Sequence, residues 1–208
     1  MIELLNIDCM EYMATQPDNA FDLAICDPPY GLDMASERPR KDGRFAGNVP
    51  KNWDKEIPEK EYFDQVRRVS KNQIIWGGNY FPLPPTQCFV FWYKQNPVPN
   101  FSDGELAWTS FSEPAKCFPF KYYGNLQGLT SADKKIHISQ KPIELYDWLL
   151  ANYANPGQRI LDTHLGSGSS AIAAHYFGCD FVGCEIDPDY YQAAMDRFDR
   201  ETRQQSFL

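Results

Sequence analysis

Residues 21–26, Phe-Asp-Leu-Ala-Ile-Cys, form a near-continuous apolar run that stops at Asp27-Pro28-Pro29-Tyr30-Gly31. A run of this length without polar alternation is the pattern of a strand covered on both faces, which is how strands of a parallel sheet are buried. The prolines end the strand, because neither ring nitrogen can donate to a ladder. Parallel neighbours need crossovers of a dozen or more residues, and the chain supplies them. Strand patterns occur at 2–8, 72–76, 88–93, 106–111, 159–162 and 180–184, and helical patterns at 11–15, 58–70, 142–153, 170–177 and 190–204. This alternation predicts an α/β, Rossmann-like fold: a mainly parallel sheet with helices on both faces, binding its ligand beyond the carboxyl ends of the strands.

The 208 residues, 43% of them hydrophobic, suffice for one substantial core, so residues 1–208 are read as a single domain. The weakly patterned stretch 113–137 is read as an insertion on that scaffold. No run approaches the roughly 20 apolar residues of a membrane span. The opening Met-Ile-Glu-Leu-Leu carries neither a basic leader nor a cleavage site, so the expected location is cytoplasmic. The six cysteines stand singly, several inside apolar runs, as reduced core thiols do. The Cys179/Cys184 pair lacks a partner cluster at ligand spacing, and no metal is expected.

A formal charge of −8 excludes a protein that grips nucleic acid by bulk electrostatics. The charge is nevertheless uneven. Arg38, Arg40, Lys41, Arg44 and Lys51 face only Asp42 within 38–51, and Lys116, Lys121, Lys134, Lys135 and Lys141 face only Asp133 within 116–141. Each basic stretch includes or adjoins an aromatic residue able to stack on a base or sugar, Trp53 in one case and Tyr122 in the other.

Four predicted strands end in an acid, namely Asp8, Asp27, Asp162 and Glu185, and parallel strands bring these ends to one edge. The segment Asp162 to Ser170 (Asp-Thr-His-Leu-Gly-Ser-Gly-Ser-Ser) reads as strand, glycine turn and helix start, which allows close backbone approach to a ligand. Ser169 follows Gly168 where a triphosphate-binding loop would need lysine. Glu185 ends the next strand roughly 20 residues on, where an acid in a nucleotide-binding βαβ unit accepts from ribose hydroxyls, so an adenosine-type cofactor is expected.

Asp27-Pro28-Pro29-Tyr30 is the most specific signal. Each residue before a proline is held out of helical conformation, leaving Asp27 and Pro28 as a rigid ledge rich in acceptors. Such a ledge suits an aromatic exocyclic amine, whose lone pair is delocalised into its ring. The Asp27 carboxylate and the Pro28 carbonyl would each take one N–H, raising electron density on nitrogen, while Tyr30 stacks on the base. A target inside a duplex must first be flipped out, at about a few kcal/mol. Displacement at a sulfonium methyl then requires positioning above all, and no metal.

With these motifs in place, the chain resembles the β group of DNA amino-methyltransferases, in which Asp-Pro-Pro-Tyr precedes the cofactor glycine motif, as Asp27 precedes Gly166 here. Asn6-Ile7-Asp8-Cys9 and His137-Ile138-Ser139-Gln140-Lys141-Pro142 are similar to two further motifs of that group. The resemblance implies S-adenosylmethionine as cofactor, double-stranded DNA as partner, the N6 amine of adenine as acceptor, and a homodimer. It places Asp8 and Cys9 at the cofactor's adenine, Glu185 on its ribose, and Ser139, Gln140 and Lys141 near its methionine part. Asp27, Asp162, Gly166, Gly168 and Ser169 complete that site. Thr163-His164 stands where the group has Pro-Phe, so His164 takes the phenylalanine's position. DNA recognition falls to residues 32–57 and 112–136. The alternatives are the 4-amino group of cytosine, for which the group more often carries Ser in place of Asp27, a regulator that binds DNA and cofactor without chemistry, and an RNA amino-methyltransferase.

Overall fold

The computed structural model describes residues 1–32, 54–95, 102–122, 136, 137 and 139–203. Arg38, Arg40, Lys41, Arg44, Lys51 and Trp53 lie outside the described residues, as does most of the 32–57 segment. An eight-stranded sheet carries the fold, with strands β1 (Ile2–Asn6), β2 (Phe21–Cys26), β3 (Ser70–Trp76), β4 (Phe89–Tyr93), β5 (Gly104–Thr109), β6 (Lys116–Pro119), β7 (Arg159–Asp162) and β8 (Asp180–Glu185). Their spatial order is β1-β8-β7-β2-β3-β5-β4-β6. All pairings are parallel except those of β5 with its two neighbours, so the expected mainly parallel Rossmann-like sheet is present.

Alternation along each strand divides the core into two layers. Leu23, Ile25, Ile74, Trp76, Ile160 and Phe181 face helices α3 (Ile143–Tyr153), α4 (Ser169–Phe177) and α5 (Pro188–Arg203). Ala24, Cys26, Ile75, Leu161 and Val182 face α1 (Cys9–Thr15) and α2 (Lys60–Val69). Helix α2 earns its place through Tyr62, Phe63, Val66 and Val69, which recur at helical spacing and are all buried. Ala171, Ala173 and Ala174 of α4 are small enough for that helix to lie close to the sheet and to α3. Leu145, Leu149 and Leu150 of α3 fill the space between them. No helix among the described residues is long and apolar enough to cross a membrane.

One element departs from expectation. Within the stretch read as an insertion, Lys116–Pro119 pairs in parallel with β4 and forms the sheet's outer edge. The strand is four residues long and buries only Phe118, with a lysine at one end and a proline at the other, as edge strands commonly have. Too short for periodicity, it gives no strand signal.

Candidate active site

The register of the parallel half brings the strand ends together. Asn6 pairs with Glu185, Asp162 with Gly183, and Ala24 with Leu161, so β1, β8, β7 and β2 finish along one edge. Each of the four acids has a distinct local task there. Asp8 caps α1, its carboxylate accepting from Met10 N–H at 2.7 Å. Asp162 accepts from Ser170 Oγ at 2.6 Å and from His164 N–H at 2.9 Å. Glu185 accepts from Gly166 N–H at 2.9 Å through one oxygen and from Asp187 N–H at 3.0 Å through the other. Both oxygens of Glu185 are thus engaged, which fixes the carboxylate beside the glycine loop.

Asp27 is held by a hydroxyl and an ammonium. Tyr30 Oη donates to its Oδ1 at 2.6 Å, and Lys141 Nζ lies 2.5 Å from its Oδ2. The Tyr30 phenol is pushed well above its ordinary range by burial and by the charges of Asp27 and Glu105, so it stays a donor. Asp54 Oδ1 accepts from Tyr30 N–H at 3.0 Å, which ties the far end of the 32–57 segment to the ledge. The Tyr30 ring lies against Gly77 and stacks on Tyr80, with centroids 5.1 Å apart and planes 16° apart. Pro28 is buried, and Pro29 borders a cavity.

That cavity, of about 350 Å³, lies between the two motifs. Pro29 and His164 both line it, with Cys9, Met10, Ile57 and Tyr62 among the other walls. One residue of the aspartate-proline motif, Pro29, and one residue just before the glycine loop, His164, therefore border the same cleft. Burial drives His164 down to about 4, so its imidazole is neutral. Its Nδ1 is 2.9 Å from Thr163 Oγ1, which in turn lies 2.6 Å from Tyr62 Oη. Burial raises the Cys9 thiol to about 12, leaving it a weakly polar wall rather than a nucleophile.

The glycine loop is held from behind. Gly168 sits at φ +74° as the residue before α4, a conformation that favours glycine. Ser169 Oγ donates to Lys141 O at 2.8 Å, joining the loop to the 136–141 segment. Within that segment, Ser139 pairs with His137, whose ring packs on Tyr190, and Gln140 Oε1 accepts from Ile136 N–H at 2.9 Å. Lys121 is exposed, whereas Tyr122 is half-buried, its ring tilted against Trp92. Among the described residues no group of three His, Cys, Asp or Glu side chains stands where a metal could be held.

Several residues around the site carry no motif. Glu105, Lys94, Asp54, Tyr80 and Arg197 have only weak sequence signals: an acid at the mouth of an apolar strand, a lysine after an aromatic strand, an aromatic in a Gly-Gly turn. Arg197, 1% exposed, donates to Ser167 O and Ser169 Oγ, each at 2.8 Å.

Residues 111–196 match the N6/N4 DNA methylase family model. The chain is 25% identical over 242 residues to the type II methyltransferase M.HinfI of Haemophilus influenzae, covering 93% of this chain and 67% of that one. Its fold is shared with the M1.HpyAVI–SAM complex, at a TM-score of 0.63 and 18% identity, over 95% of this chain and 100% of the other. It is also shared with the cytosine-N4-specific PvuII DNA methyltransferase, at a TM-score of 0.60 and 14% identity, over 97% and 90% of the two chains. The motif order, the matched segment, the extended relative and the fold agree in making this chain similar to the N6/N4 DNA amino-methyltransferases.

Proposed function

We propose that this protein transfers a methyl group from S-adenosylmethionine to the N6 amine of an adenine flipped out of a short site in duplex DNA. The observation that carries the reading is the single cleft bounded by Pro29 on the ledge and His164 beside the glycine loop. An acceptor for an amine and a seat for an adenosine-type donor must lie this close for direct transfer.

The residues present fit the cofactor. Glu185 stands at the end of β8 beside the glycine loop, where an acid meets ribose hydroxyls, and Gly166 to Ser169 allow close backbone approach. The cavity walls from Met10, Pro29, Ile57 and Tyr62 are apolar enough to flank an adenine ring, with Asp8 and Cys9 at the start of α1 beside it. When bound, the cofactor supplies an electrophilic sulfonium methyl. The protein's own part is to hold the amine: the Asp27 carboxylate and the Pro28 carbonyl each accept one N–H, concentrating electron density on nitrogen. The proton released after transfer leaves by way of Asp27 Oδ to solvent. Tyr30 fixes Asp27 through its hydroxyl.

Asp27, rather than serine, at the head of the motif favours adenine over cytosine by the group's pattern. Incubating unmethylated genomic DNA with the protein and labelled cofactor, then digesting to nucleosides, tests this directly. N6-methyladenine is the expected product, and N4-methylcytosine as the sole product overturns the assignment. RNA offered as competing acceptor should remain unlabelled. Asp27→Ala should still bind S-adenosylmethionine and lose at least about a thousandfold in transfer. Retained transfer would remove the ledge from the mechanism, and a DNA-binding regulator would show no transfer even in the wild type.

A further inference from the structure

The ammonium of Lys141 is buried, its side chain 3% exposed, and it stands between two carboxylates. Asp27 Oδ2 lies 2.5 Å from Nζ on one side and Glu105 Oε2 3.2 Å on the other, with Tyr30 Oη at 3.4 Å. The indole of Trp76 flanks the ammonium, with its ring centroid 5.4 Å away. Glu105, at the start of β5, is paired through its other oxygen, Oε1, with Lys94, which follows the last residue of β4. Lys94, Glu105, Lys141 and Asp27 thus form a line of alternating charges running from the antiparallel half of the sheet into the ledge. Burial alone would raise the Glu105 carboxyl, but Lys141 and Lys94 hold it down at about 2, so it is ionised.

Two details give this line a direction. Both oxygens of Asp27 are already engaged, Oδ1 by Tyr30 and Oδ2 by Lys141, so an incoming amine N–H competes with an ammonium for the same acceptor. Glu105 Oε2, by contrast, is buried without a well-formed hydrogen bond, although Nζ is within ion-pair range. The ammonium therefore has a second seat, charged and ready to accept. A buried charge with one partner is held tightly by it, whereas one with two can shift its weight between them at little cost.

We propose that Glu105 is a positioning residue: it shares the Lys141 ammonium with Asp27 and draws it off Oδ2 when the target amine arrives, freeing the carboxylate to accept the amine N–H. This rests on the amine-methylation reading given above. Without Glu105, Lys141 locks onto Asp27, and the amine meets a neutralised acceptor.

A double-mutant cycle separates positioning from plain structure. Glu105→Gln should lower kcat by 10- to 100-fold while the dissociation constants for S-adenosylmethionine and DNA stay within about threefold, and Glu105→Asp should recover most of the loss. In a Lys141→Met background, Glu105→Gln should add less than about twofold, since there is no ammonium left to steer. An equal loss in both backgrounds, or a Glu105→Gln variant as fast as wild type, overturns the proposal. A readout without turnover runs beside it: in protein labelled at lysine Nζ and Cε, the resonance that vanishes in Lys141→Met should move in both Glu105→Gln and Asp27→Asn. Movement with only one partner overturns the sharing. An active wild type with a flat cycle fails this inference alone. A wild type inert toward DNA, with a lysine resonance that answers to both carboxylates, fails the functional reading instead.

Discussion

Gly77 lies so close to Tyr30 that a methyl group in place of its hydrogen would come 2.3 Å from the ring's Cε1 and 2.6 Å from Cδ1. Its φ of +71° is itself in the region that favours glycine, and its N–H donates to Leu106 O at 2.8 Å, so the turn cannot easily move aside. The Gly-Gly turn after β3 is therefore part of the ledge: it is the floor on which the Tyr30 ring lies. Gly77→Ala should cost about 1–3 kcal/mol in stability from the backbone alone. It should also displace Tyr30, releasing the hydroxyl that fixes Asp27. Methyl transfer should fall at least tenfold while S-adenosylmethionine binding changes little, as measured by labelled-methyl incorporation and calorimetry on the same preparation. A variant destabilised but fully active would separate the turn from the chemistry.

Arg197 is expected to matter for the donor side in the same way. It reaches from α5 under the glycine loop, donating to Ser167 O and Ser169 Oγ at 2.8 Å each, and is almost wholly buried. Removing it takes a donor from the Ser167 carbonyl and one of several partners from Ser169 Oγ, at about 1–3 kcal/mol for a buried acceptor left without its donor. Arg197→Met keeps much of the volume and loses the hydrogen bonds. Its denaturant midpoint should fall, and its affinity for S-adenosylmethionine should drop about tenfold or more, whereas affinity for DNA without cofactor should not change. Unchanged cofactor affinity in a folded Arg197→Met would mean the loop needs no support from α5.

The contrast between these residues and the motif residues indicates what a sequence can reveal. β2 and β8 are legible because strands buried on both faces must be apolar throughout, and α2 because one face must be. Asp27, Asp162 and Glu185 are legible because strand ends in a parallel sheet converge, so an acid's position along the chain implies its position in space. Arg197 gives no such sign, since an arginine on an amphipathic helix looks like a solvated one until the helix's neighbours are known. Glu105 is illegible for a related reason. Its burial depends on Lys94, two residues beyond the Trp92 that pairs with it across the β4–β5 ladder, and on Lys141, 36 residues further along, and no local pattern encodes that meeting. The edge strand at 116–119 is too short and too polar to register. The aromatic rings follow composition more faithfully: Trp76, Trp92 and Trp108 are core, while Tyr80 is 43% exposed beside the ledge.

Two neighbouring residues should give the protein opposed responses to pH. Burial pushes the Asp162 carboxyl up to about 7, with Asp27 and Glu185 adding to it against the hydrogen bonds from Ser170 and the His164 N–H. Its ordinary value is 3.8, so from about 4 to about 7 the folded state keeps a proton that the unfolded state has lost. This contribution to stability is full below about 4 and disappears as pH rises to about 7. Burial drives His164 from 6.5 down to about 4, so over that range the unfolded state binds the extra proton. This contribution is full above 6.5 and disappears as pH falls to about 4. Each amounts to a few kcal/mol, on the order of 3. Between about 4 and 6.5 the two slopes oppose one another. Asp162→Asn should therefore make stability rise more steeply with pH across this window, and His164→Phe should make it fall, relative to wild type. Denaturant unfolding at pH 4.5 and 6.5 measures both, and three parallel profiles would show that neither group is coupled to folding.

The distribution of charge predicts how DNA is held. A chain with a formal charge of −8 repels a duplex at long range, so any attraction must come from a local excess, and Arg38, Arg40, Lys41 and Arg44 are the densest such cluster. Each phosphate neutralised releases counterions, lowering the slope of log affinity against log salt by about 0.9. If the cluster carries the backbone contacts, changing all four residues to Gln should flatten that slope by two to four units and weaken binding most at low salt. The ratio of affinities for the methylated site and an unrelated duplex should change much less, because phosphate contacts position the protein and base contacts discriminate. The same four changes should leave S-adenosylmethionine affinity intact, since none of the four belongs to a motif assigned to the cofactor. Fluorescence anisotropy across 50–300 mM salt provides the slope. A slope unchanged in the fourfold variant would move the DNA interface to the other basic stretch, where Lys121 is exposed beside the sheet edge.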